Sequence, residues 1–242
     1  MRSRYPGKQT KGGRKNMPQS ILVIGGTGNT GRHIVQKLPQ HGYTVRVLAR
    51  DIRAAREHFD SQVEVVSGDI THASSVTAAM RDMAGCVIIV ESSSSDSAPN
   101  SPERVHYEGT RYVLSAAGEQ MAHVVLVTQI YVTRPDRYPE VHNIIHWRGL
   151  AEQAVRASSV PYTIVRPSWL TDEPGGRKAI RFEQGDTGDG QISREDVAEV
   201  CVQSLLVPEA RGKTFEVYNE SGKPPHAWVP LFHQLAGDVQ QE

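Results

Sequence analysis

Residues 20–32 read S-I-L-V-I-G-G-T-G-N-T-G-R, and this stretch decides the fold expected for the chain. Ile21 to Ile24 form a short apolar run that stops at glycine, which indicates a buried strand. Three glycines follow at three-residue intervals, and the amphipathic run 33–38 indicates a helix. A strand, a glycine turn and a helix start are the context in which a glycine pattern predicts a phosphate-binding loop.

The three glycines have different physical roles in such a loop. Gly25 allows a tight reversal of the chain, Gly28 allows the backbone to approach a pyrophosphate, and Gly31 allows the helix to pack close to the strand. The helix start adds free N–H groups and the positive end of the helix dipole. We therefore expect a dinucleotide here. The alternative is a glycine-rich turn that only packs strand against helix.

Apolar strand-like runs and helical runs alternate through the first two thirds of the chain. The predicted strands are 21–24, 43–49, 63–67, 86–90, 124–128 and 162–166. The predicted helices between them are 33–38, 53–59, 73–82, 103–120 and 141–158. Continuous apolar strands are typical of a parallel sheet covered on both faces. The alternation predicts an α/β fold, a doubly wound parallel sheet of the Rossmann type in a single domain.

The remaining third is expected to complete this domain with a small substrate-side lobe. Residues 171–190 are polar and indicate loops or a short hairpin at the sheet edge. Ser193 is a suitable N-cap for an amphipathic helix over 194–206, and 214–218 alternates as a strand. The domain would span 19–223. A docking tail, 224–242, would follow it and form a helix on the body of the domain.

The first 18 residues differ from the rest of the chain in charge and composition. Residues 1–16 hold six basic residues and no acidic residue. We expect 1–18 to be a disordered, solvated leader rather than an arm for nucleic acid. No apolar run reaches the roughly 18 residues that a membrane span needs. Cys86 and Cys201 both lie in apolar stretches, which predicts buried thiols and a reducing, cytoplasmic setting.

Five segments resemble the atypical short-chain dehydrogenase/reductases, the NmrA-like NAD(P)-binding group. They are G-G-T-G-N-T-G at 25–31, V-L-A-R at 47–50, G-D-I at 68–70, Y-T-I-V-R-P at 162–167 and I-S-R-E-D-V-A at 192–198. The resemblance implies that the glycine loop holds the cofactor pyrophosphate. The residues implied for that role are Gly25, Thr27, Gly28, Asn29, Thr30 and Gly31. It also implies that Asp69 and Ile70 flank the adenine.

Charge after the second strand predicts the choice of cofactor. A carboxylate there would bind the ribose hydroxyls of NAD and repel a 2′-phosphate. Arg50 ends the strand instead, with Arg32 and Arg53 as possible neighbours, and guanidinium pairs well with phosphate. We expect NADP(H) to be preferred over NAD(H). Asp51, the next residue, is the feature that argues against this preference.

The catalytic residues usual in the superfamily are missing. Its reductases use Tyr-x-x-x-Lys, and this chain has no tyrosine followed four residues later by lysine. In register with the family helix, Ile144 stands in the tyrosine position, Arg148 in the lysine position, and Glu152 four residues beyond. Isoleucine cannot transfer a proton, and Arg for Lys is not conservative. The usual serine position holds Thr128, which retains a hydroxyl.

Other groups could supply the proton. Tyr131, His142 and His146 lie beyond the fifth strand, where ligand crevices of α/β sheets form, and Arg148 could assist. His142 and His146 are four residues apart and could share a helix face. Glu91 and Ser92, after the fourth strand, are expected to border the cofactor ribose and nicotinamide. Thr128 and Arg148 are also expected to bind the cofactor.

These residues predict an NADP(H)-dependent oxidoreductase that acts on a carbonyl or activated alkene of a small molecule. The substrate pocket would be formed by 91–101, 129–147 and 168–190. Two alternatives remain: a regulatory protein that senses NADP(H) without turnover, and a nicotinamide-dependent epimerase or isomerase. The serine run at 92–95 has no nucleophile-elbow context, and no metal-ligand spacing occurs. We expect no nucleic-acid or membrane partner, and a monomer or homodimer.

Overall fold

The computed structural model describes residues 19–118 and 121–239, in which ten strands and seven α-helices are found. The strands are β1 Ser20–Ile24, β2 Thr44–Ala49, β3 Val63–Ser67, β4 Gly85–Ile88, β5 His123–Val127, β6 Tyr162–Pro167, β7 Trp169–Thr171, β8 Ala179–Glu183, β9 Gln191–Ser193 and β10 Lys213–Glu220. The α-helices are α1 Asn29–Lys37, α2 Ile52–Arg56, α3 Ala73–Met80, α4 Gly109–Ala116, α5 His142–Arg156, α6 Arg194–Leu206 and α7 Val229–His233. A π-helix, Glu103–Glu108, leads directly into α4.

Eight strands form one sheet in the order β3-β2-β1-β4-β5-β6-β10-β8. All neighbours pair in parallel except β8, which runs antiparallel to β10. The predicted doubly wound parallel sheet is confirmed. Strand order reverses between β1 and β4, which is the point where ligands bind in such sheets.

Two apolar layers cover the sheet. One packs α1 and α6 against it and contains Ile34 and Val197. The other packs α3, α4 and α5 against the opposite face and contains Val76, Val113 and Val155. β5 and β6 are buried along their whole length, as their continuous apolar sequences predict.

The segment after β6 differs from the expectation for 171–190. It forms no local hairpin: β8 pairs with β10, and β7 pairs in parallel with β9 as a separate two-stranded sheet. The physical reason is that β8 covers the otherwise open edge of β10. The predicted helix over 103–120 begins as the π-helix, and residues 119 and 120 lie outside the described part.

The two ends of the chain can be described only in part. Residues 1–18, the predicted leader, lie outside the described residues, as do 240–242. In the tail, Phe232 on α7 is fully buried and its ring lies 5.1 Å from that of Phe182 and 5.8 Å from that of Phe215, measured between centroids. The Lys213 ammonium donates hydrogen bonds to the carbonyls of Phe232 and Leu235 at 2.5 and 2.8 Å. These contacts hold the end of α7 on β10.

Candidate functional site

A cleft of about 700 Å³ lies along the carboxyl ends of the parallel strands. Residues that follow each of the strands β1 to β6 line it: Gly25, Arg50, Asp69, Glu91, Thr128 and Ser168. A single cavity therefore runs past the strand-order reversal, from the β3 side of the sheet to the β6 side. A volume of this size suits a ligand of cofactor or drug size.

The glycine loop after β1 is too tightly packed for side chains at two of its positions. Gly25 has φ +88°, and a Cβ there would lie 1.8 Å from the Ile89 carbonyl oxygen. A Cβ on Gly31 would lie 2.1 Å from the Gly25 carbonyl oxygen, because α1 begins against the turn. Gly28 donates its N–H to the Gly25 carbonyl at 3.0 Å. Both close approaches agree with the roles predicted for Gly25 and Gly31.

Helix α1 starts in this loop without a side-chain cap. Gly28 is its N-cap residue, and within the described part of the chain no side-chain hydrogen bond caps the first turn. The Asn29 amide oxygen accepts a hydrogen bond from Arg32 at 2.9 Å instead. The cleft is lined here by Thr27 and by the residues that open the helix, Gly28, Asn29 and Thr30. Free N–H groups and the positive dipole end provide a site for phosphate oxygens.

The residues beyond β2 and β3 extend this end of the cleft. Arg50 is exposed and lines the cleft, whereas Arg32 and Arg53 are not among its lining residues. The Asp51 carboxylate accepts the Ala54 N–H at 3.0 Å and caps α2. Asp51 therefore has a structural role as the N-cap of α2, which explains its presence beside Arg50.

Asp69 and Ile70 also line the cleft, next to β3. The Asp69 carboxylate accepts hydrogen bonds from the Thr71 N–H and hydroxyl at 2.9 and 3.0 Å. These two bonds fix the turn after β3. The groups predicted for the phosphates and the adenine are thus brought together at one end of the cleft, which fits a dinucleotide.

Arg148 is held at the middle of the cleft by two partners. Its guanidinium donates hydrogen bonds to both Glu91 carboxylate oxygens and to the Gln129 side chain. Arg148 is buried and its Nε has no partner within the part of the chain that the structure describes. Ser92 does not line the cleft, because its hydroxyl hydrogen-bonds to His106 Nε2 at 3.1 Å.

His106 was not expected at this place. It lies on the π-helix, and burial followed by the charge of Arg148 lowers its pKa well below the usual value. The imidazole is therefore neutral at neutral pH. No local sequence pattern marks His106, because the contact with Ser92 depends on how the π-helix packs behind β4.

The Thr128 hydroxyl is bonded toward the protein interior. It donates to the Glu152 carboxylate at 2.7 Å, and that carboxylate accepts two hydrogen bonds from Arg166 at 2.6 and 2.9 Å. Arg166 also donates to Glu216 at 2.9 Å, and Glu216 accepts the Asp186 N–H at 3.0 Å. We call these five residues the acid–arginine ladder. Because its hydrogen is used, the Thr128 oxygen can only accept hydrogen bonds from a ligand.

Tyr131 lies at the cleft in a constrained conformation. It has φ +70° and is almost fully buried, and its N–H donates to Asp186 at 2.6 Å. The Thr133 N–H and hydroxyl each donate to the same carboxylate at 2.8 Å. Burial, followed by nearby Tyr138 and Asp189, raises the pKa of the Tyr131 phenol. The phenol stays protonated, and no described residue forms a hydrogen bond of normal geometry with it.

Ser168, immediately after β6, is a second hydroxyl without a partner at the cleft. Only 4% of the residue is exposed, and its Oγ has no hydrogen-bond partner among residues 19–118 and 121–239. Its backbone N–H donates to the Val217 carbonyl at 3.2 Å, which fixes the residue at the strand end. Buried polar atoms are nearly always hydrogen-bonded, so this hydroxyl is free to bond a ligand atom in the cleft.

The two histidines proposed as proton donors are not brought into the cleft. His142 is exposed and its Nδ1 lies 3.3 Å from the Asp136 carboxylate, and His146 is exposed against Trp147. Neither lines the cleft, and neither does Ile144. The reason is the orientation of α5, which turns Arg148 and Glu152 inward. His142 and His146 are both exposed, so they lie on the outer face of α5 and not on the face toward the cleft.

Clusters of metal-ligating side chains and membrane-spanning helices are both absent from the described residues. Within them, no group of three or more His, Cys, Asp or Glu side chains is placed to hold a metal ion. No described helix is both long and apolar enough to span a bilayer. Cys86 and Cys201 are free, buried thiols as predicted, and burial raises the pKa of Cys201 to about 12.

A protein-family model described as NAD(P)H-binding matches residues 25–208, from the glycine loop to the end of α6. The chain belongs to this NAD(P)H-binding family. The match covers both ends of the cleft, and the family assignment agrees with the resemblance identified from the five sequence segments.

Relatives of this NAD(P)H-binding protein include reductases. It is 27% identical to sanguinarine reductase from Eschscholzia californica, over 89% of this chain and 96% of that protein. It is 30% identical to (4-alkanoyl-5-oxo-2,5-dihydrofuran-3-yl)methyl phosphate reductase from Streptomyces griseus, over 81% of this chain and 67% of that protein. The solved structure of a putative NAD-dependent epimerase/dehydratase from Bacillus halodurans has a TM-score of 0.75 at 22% identity. That alignment covers 90% of this chain and all of that chain, and it shows the shared fold.

Several cleft residues of the NAD(P)H-binding protein were not named from the sequence. They are Asn100, Gln129, Ser168, Trp169, Leu170 and Arg194. All of them except Arg194 lie in 91–101, 129–147 or 168–190, the segments expected to form the substrate pocket. Ser168 could have been named individually, since it directly follows a predicted strand at the ligand-binding edge of the sheet. Trp169 and Leu170 could not, because β7 pairs with β9, and the register partners lie 22 residues further along the chain.

Proposed function

We propose that this protein is an NADP(H)-dependent reductase acting on a carbonyl or activated alkene of a small molecule. The observation that carries the proposal is one continuous cleft with a tight glycine loop and an uncapped helix start at one end, and buried hydroxyls without a hydrogen-bond partner among the described residues at the other. The reductases among its relatives support the reaction type. When bound, the reduced nicotinamide would supply a hydride.

The chain's own residues would hold the cofactor in order along the cleft. The α1 N-terminus would bind the pyrophosphate, Arg50 the 2′-phosphate, and Asp69 and Ile70 would flank the adenine. Tight glycine packing and the uncapped helix start both fit this group. Thr128 would accept a hydrogen bond from a donor on the bound molecule.

The proton chemistry at the other end would depend on Ser168 and Tyr131. Both present hydroxyls that stay protonated, so each can donate a hydrogen bond to a substrate oxygen as negative charge develops. Solvent would supply the proton that finally remains on the product. His142 and His146 are omitted from this mechanism because both lie on the outer face of α5.

Cofactor choice gives the sharpest experiment. We expect Arg50→Ala to weaken NADPH binding at least about tenfold and to leave NADH binding nearly unchanged, since a charged hydrogen bond contributes about 1.5–3 kcal/mol. Titration calorimetry with both cofactors measures this. Arg53→Ala, three residues away on α2 and outside the cleft lining, is the matched control. Equal NADH and NADPH affinities in the unmodified protein, unaffected by Arg50→Ala, would contradict the cofactor assignment.

A sensor that binds NADP(H) without turnover is the second candidate. It is favoured by Arg148, which stands in the lysine position and is already paired with Glu91 and Gln129. Anaerobic assays of NADPH oxidation against a carbonyl and enone panel separate the two. Oxidation that depends on Ser168 supports the reductase. Tight NADPH binding with no oxidation across the panel supports the sensor.

A further inference from the structure

The cleft contains an exposed aromatic residue next to a second exposed apolar residue. Trp169 is 50% exposed and Leu170 is 42% exposed, and both line the cleft. The other exposed large apolar residues of the described chain, Leu206, Val229 and Val239, do not line it. Neighbouring exposed apolar side chains within a cavity are typical of a ligand-binding surface.

Trp169 is held in place by a strand pairing and by an aromatic contact. Its backbone N–H donates to the Gly190 carbonyl at 3.2 Å within the β7–β9 pair. Its ring meets that of Tyr138 edge to face, with centroids 5.5 Å apart at 74°. Tyr138 in turn lies 4.8 Å from the buried Tyr131 ring. The indole is thus fixed by two tyrosines and by a strand, while half of the residue remains accessible.

This surface lies at the reacting end of the cleft. Trp169 follows β6. The residues proposed to bind the phosphates and the adenine follow β1, β2 and β3, which lie on the other side of β4 and β5 in the sheet. Ser168, with its unpaired hydroxyl, is the adjacent residue. Both residues line the cleft, so a molecule that contacts the indole would lie in the same part of the cleft as Ser168.

We infer that the substrate is a planar aromatic compound that stacks on Trp169 and bears its reducible group toward Ser168. This inference rests on the proposed reductase function and adds the substrate class to it. An exposed, rigidly held indole face favours a flat π-system over a saturated ring of the same size. For an aldehyde the reaction is balanced as aldehyde plus NADPH plus a proton giving alcohol plus NADP⁺.

Two matched pairs of probes test the inference in the full chain. Benzaldehyde and cyclohexanecarboxaldehyde compare turnover, and 2-naphthol and decahydro-2-naphthol compare binding to the NADP⁺ complex by calorimetry. We expect the planar member of each pair to be favoured about tenfold, which corresponds to one good aromatic contact. Trp169→Leu should reduce both ratios to near one, and Trp169→Phe should retain part of them. NADPH affinity should not change.

Trp147→Leu is the control, because that indole packs on Tyr107 outside the cleft lining. It should leave both ratios unchanged. A preference for 2-naphthol without aldehyde turnover would refute reduction of these aldehydes while retaining the planar-ligand site. Equal binding of the two naphthols, or a ratio that Trp169→Leu does not alter, would overturn the inference. A loss of NADPH affinity in Trp169→Leu would overturn it as well, by assigning the indole to the cofactor.

Discussion

At the scale of single residues, two glycines and one serine shape the cleft. Gly25 has a positive φ and Gly31 leaves no room for a side chain, so the loop after β1 lies close against α1. Ser168 contributes a buried hydroxyl that has no hydrogen-bond partner among the described residues, a property that depends on the residues packed around it.

Gly31→Ala should disrupt the cofactor site. A Cβ at this position would lie 2.1 Å from a backbone oxygen, so α1 must move away from the turn. We expect NADPH affinity to fall more than about tenfold, since the N–H groups no longer point together. Calorimetry measures it. Gly42→Ala is the control, because Gly42 has φ +82° but a Cβ there would meet no atom within 4 Å. It should cost only about 1 kcal/mol of stability and leave NADPH affinity unchanged.

Ser168→Ala should separate catalysis from folding. The hydroxyl has no partner among the described residues, so its removal should leave the melting temperature unchanged or slightly higher. We expect kcat/KM to fall about tenfold or more through the loss of one donor to the substrate oxygen. Thr128→Val provides the contrast. It removes a hydrogen bond to buried Glu152 and should lower the melting temperature. Unchanged kcat/KM in Ser168→Ala would exclude this role.

At the scale of elements, helix α5 shows what periodicity can and cannot predict. Its existence and length follow from sequence, and so does the spacing of its residues. Which side faces the sheet is decided by the buried Glu152, whose partner Arg166 lies on β6. That choice places Arg148 in the cleft and His142 outside it.

Asp186 anchors the loop after β5, which lines the cleft. Its carboxylate accepts three hydrogen bonds from Tyr131 and Thr133 and is fully buried. We expect Asp186→Ala to destabilise the protein by about 2–4 kcal/mol, since three donors are left unpaired. Urea unfolding measures this. Asp172→Asn, whose exposed carboxylate pairs with Arg194, should cost less than about 1 kcal/mol. Equal effects of the two changes would show that the loop is held by other contacts.

At the scale of the whole molecule, the central sheet was predictable because each of its parallel strands has a local apolar signature. The pairing of β7 with β9 and of β8 with β10 was not, because these strands are short and partly polar. β8 pairs with the open edge of β10, and β7 pairs with β9 where the chain continues directly from β6. The acid–arginine ladder was equally hidden, since its members come from distant segments.

Acid should weaken the fold through His123 on the central strand β5. Its Nε2–H donates to the Thr163 hydroxyl at 2.8 Å, because that hydroxyl donates to the Ala210 carbonyl. Burial, followed by the charge of Arg211, lowers the pKa of His123 to about 3. The unfolded chain binds the proton more tightly than the folded chain. The stability contributed by neutral His123 is therefore complete above pH 6.5 and is lost as pH falls toward 3.

We expect the free energy of unfolding to fall by up to about 1.4 kcal/mol per pH unit below pH 6.5 from this residue. His123→Gln should show a shallower slope than the unmodified protein between pH 6.5 and 5, measured by urea unfolding at each pH. His142→Gln alters an exposed imidazole and should keep the original slope. If the two variants have the same slope, His123 does not carry the acid sensitivity.

The acid–arginine ladder has a consequence for protein engineering by recombination. Glu152 and Arg166 precede the segment 171–190 in the chain, whereas Asp186 lies within it and Glu216 after it. A chimera with a crossover between residues 166 and 186 would inherit Arg166 from one parent and its second carboxylate from the other. The part of the chain after β6 should therefore be exchangeable between family members only when both parents supply matching charges, because a mismatched junction would leave a buried charge unpaired, at a cost of about 3–5 kcal/mol.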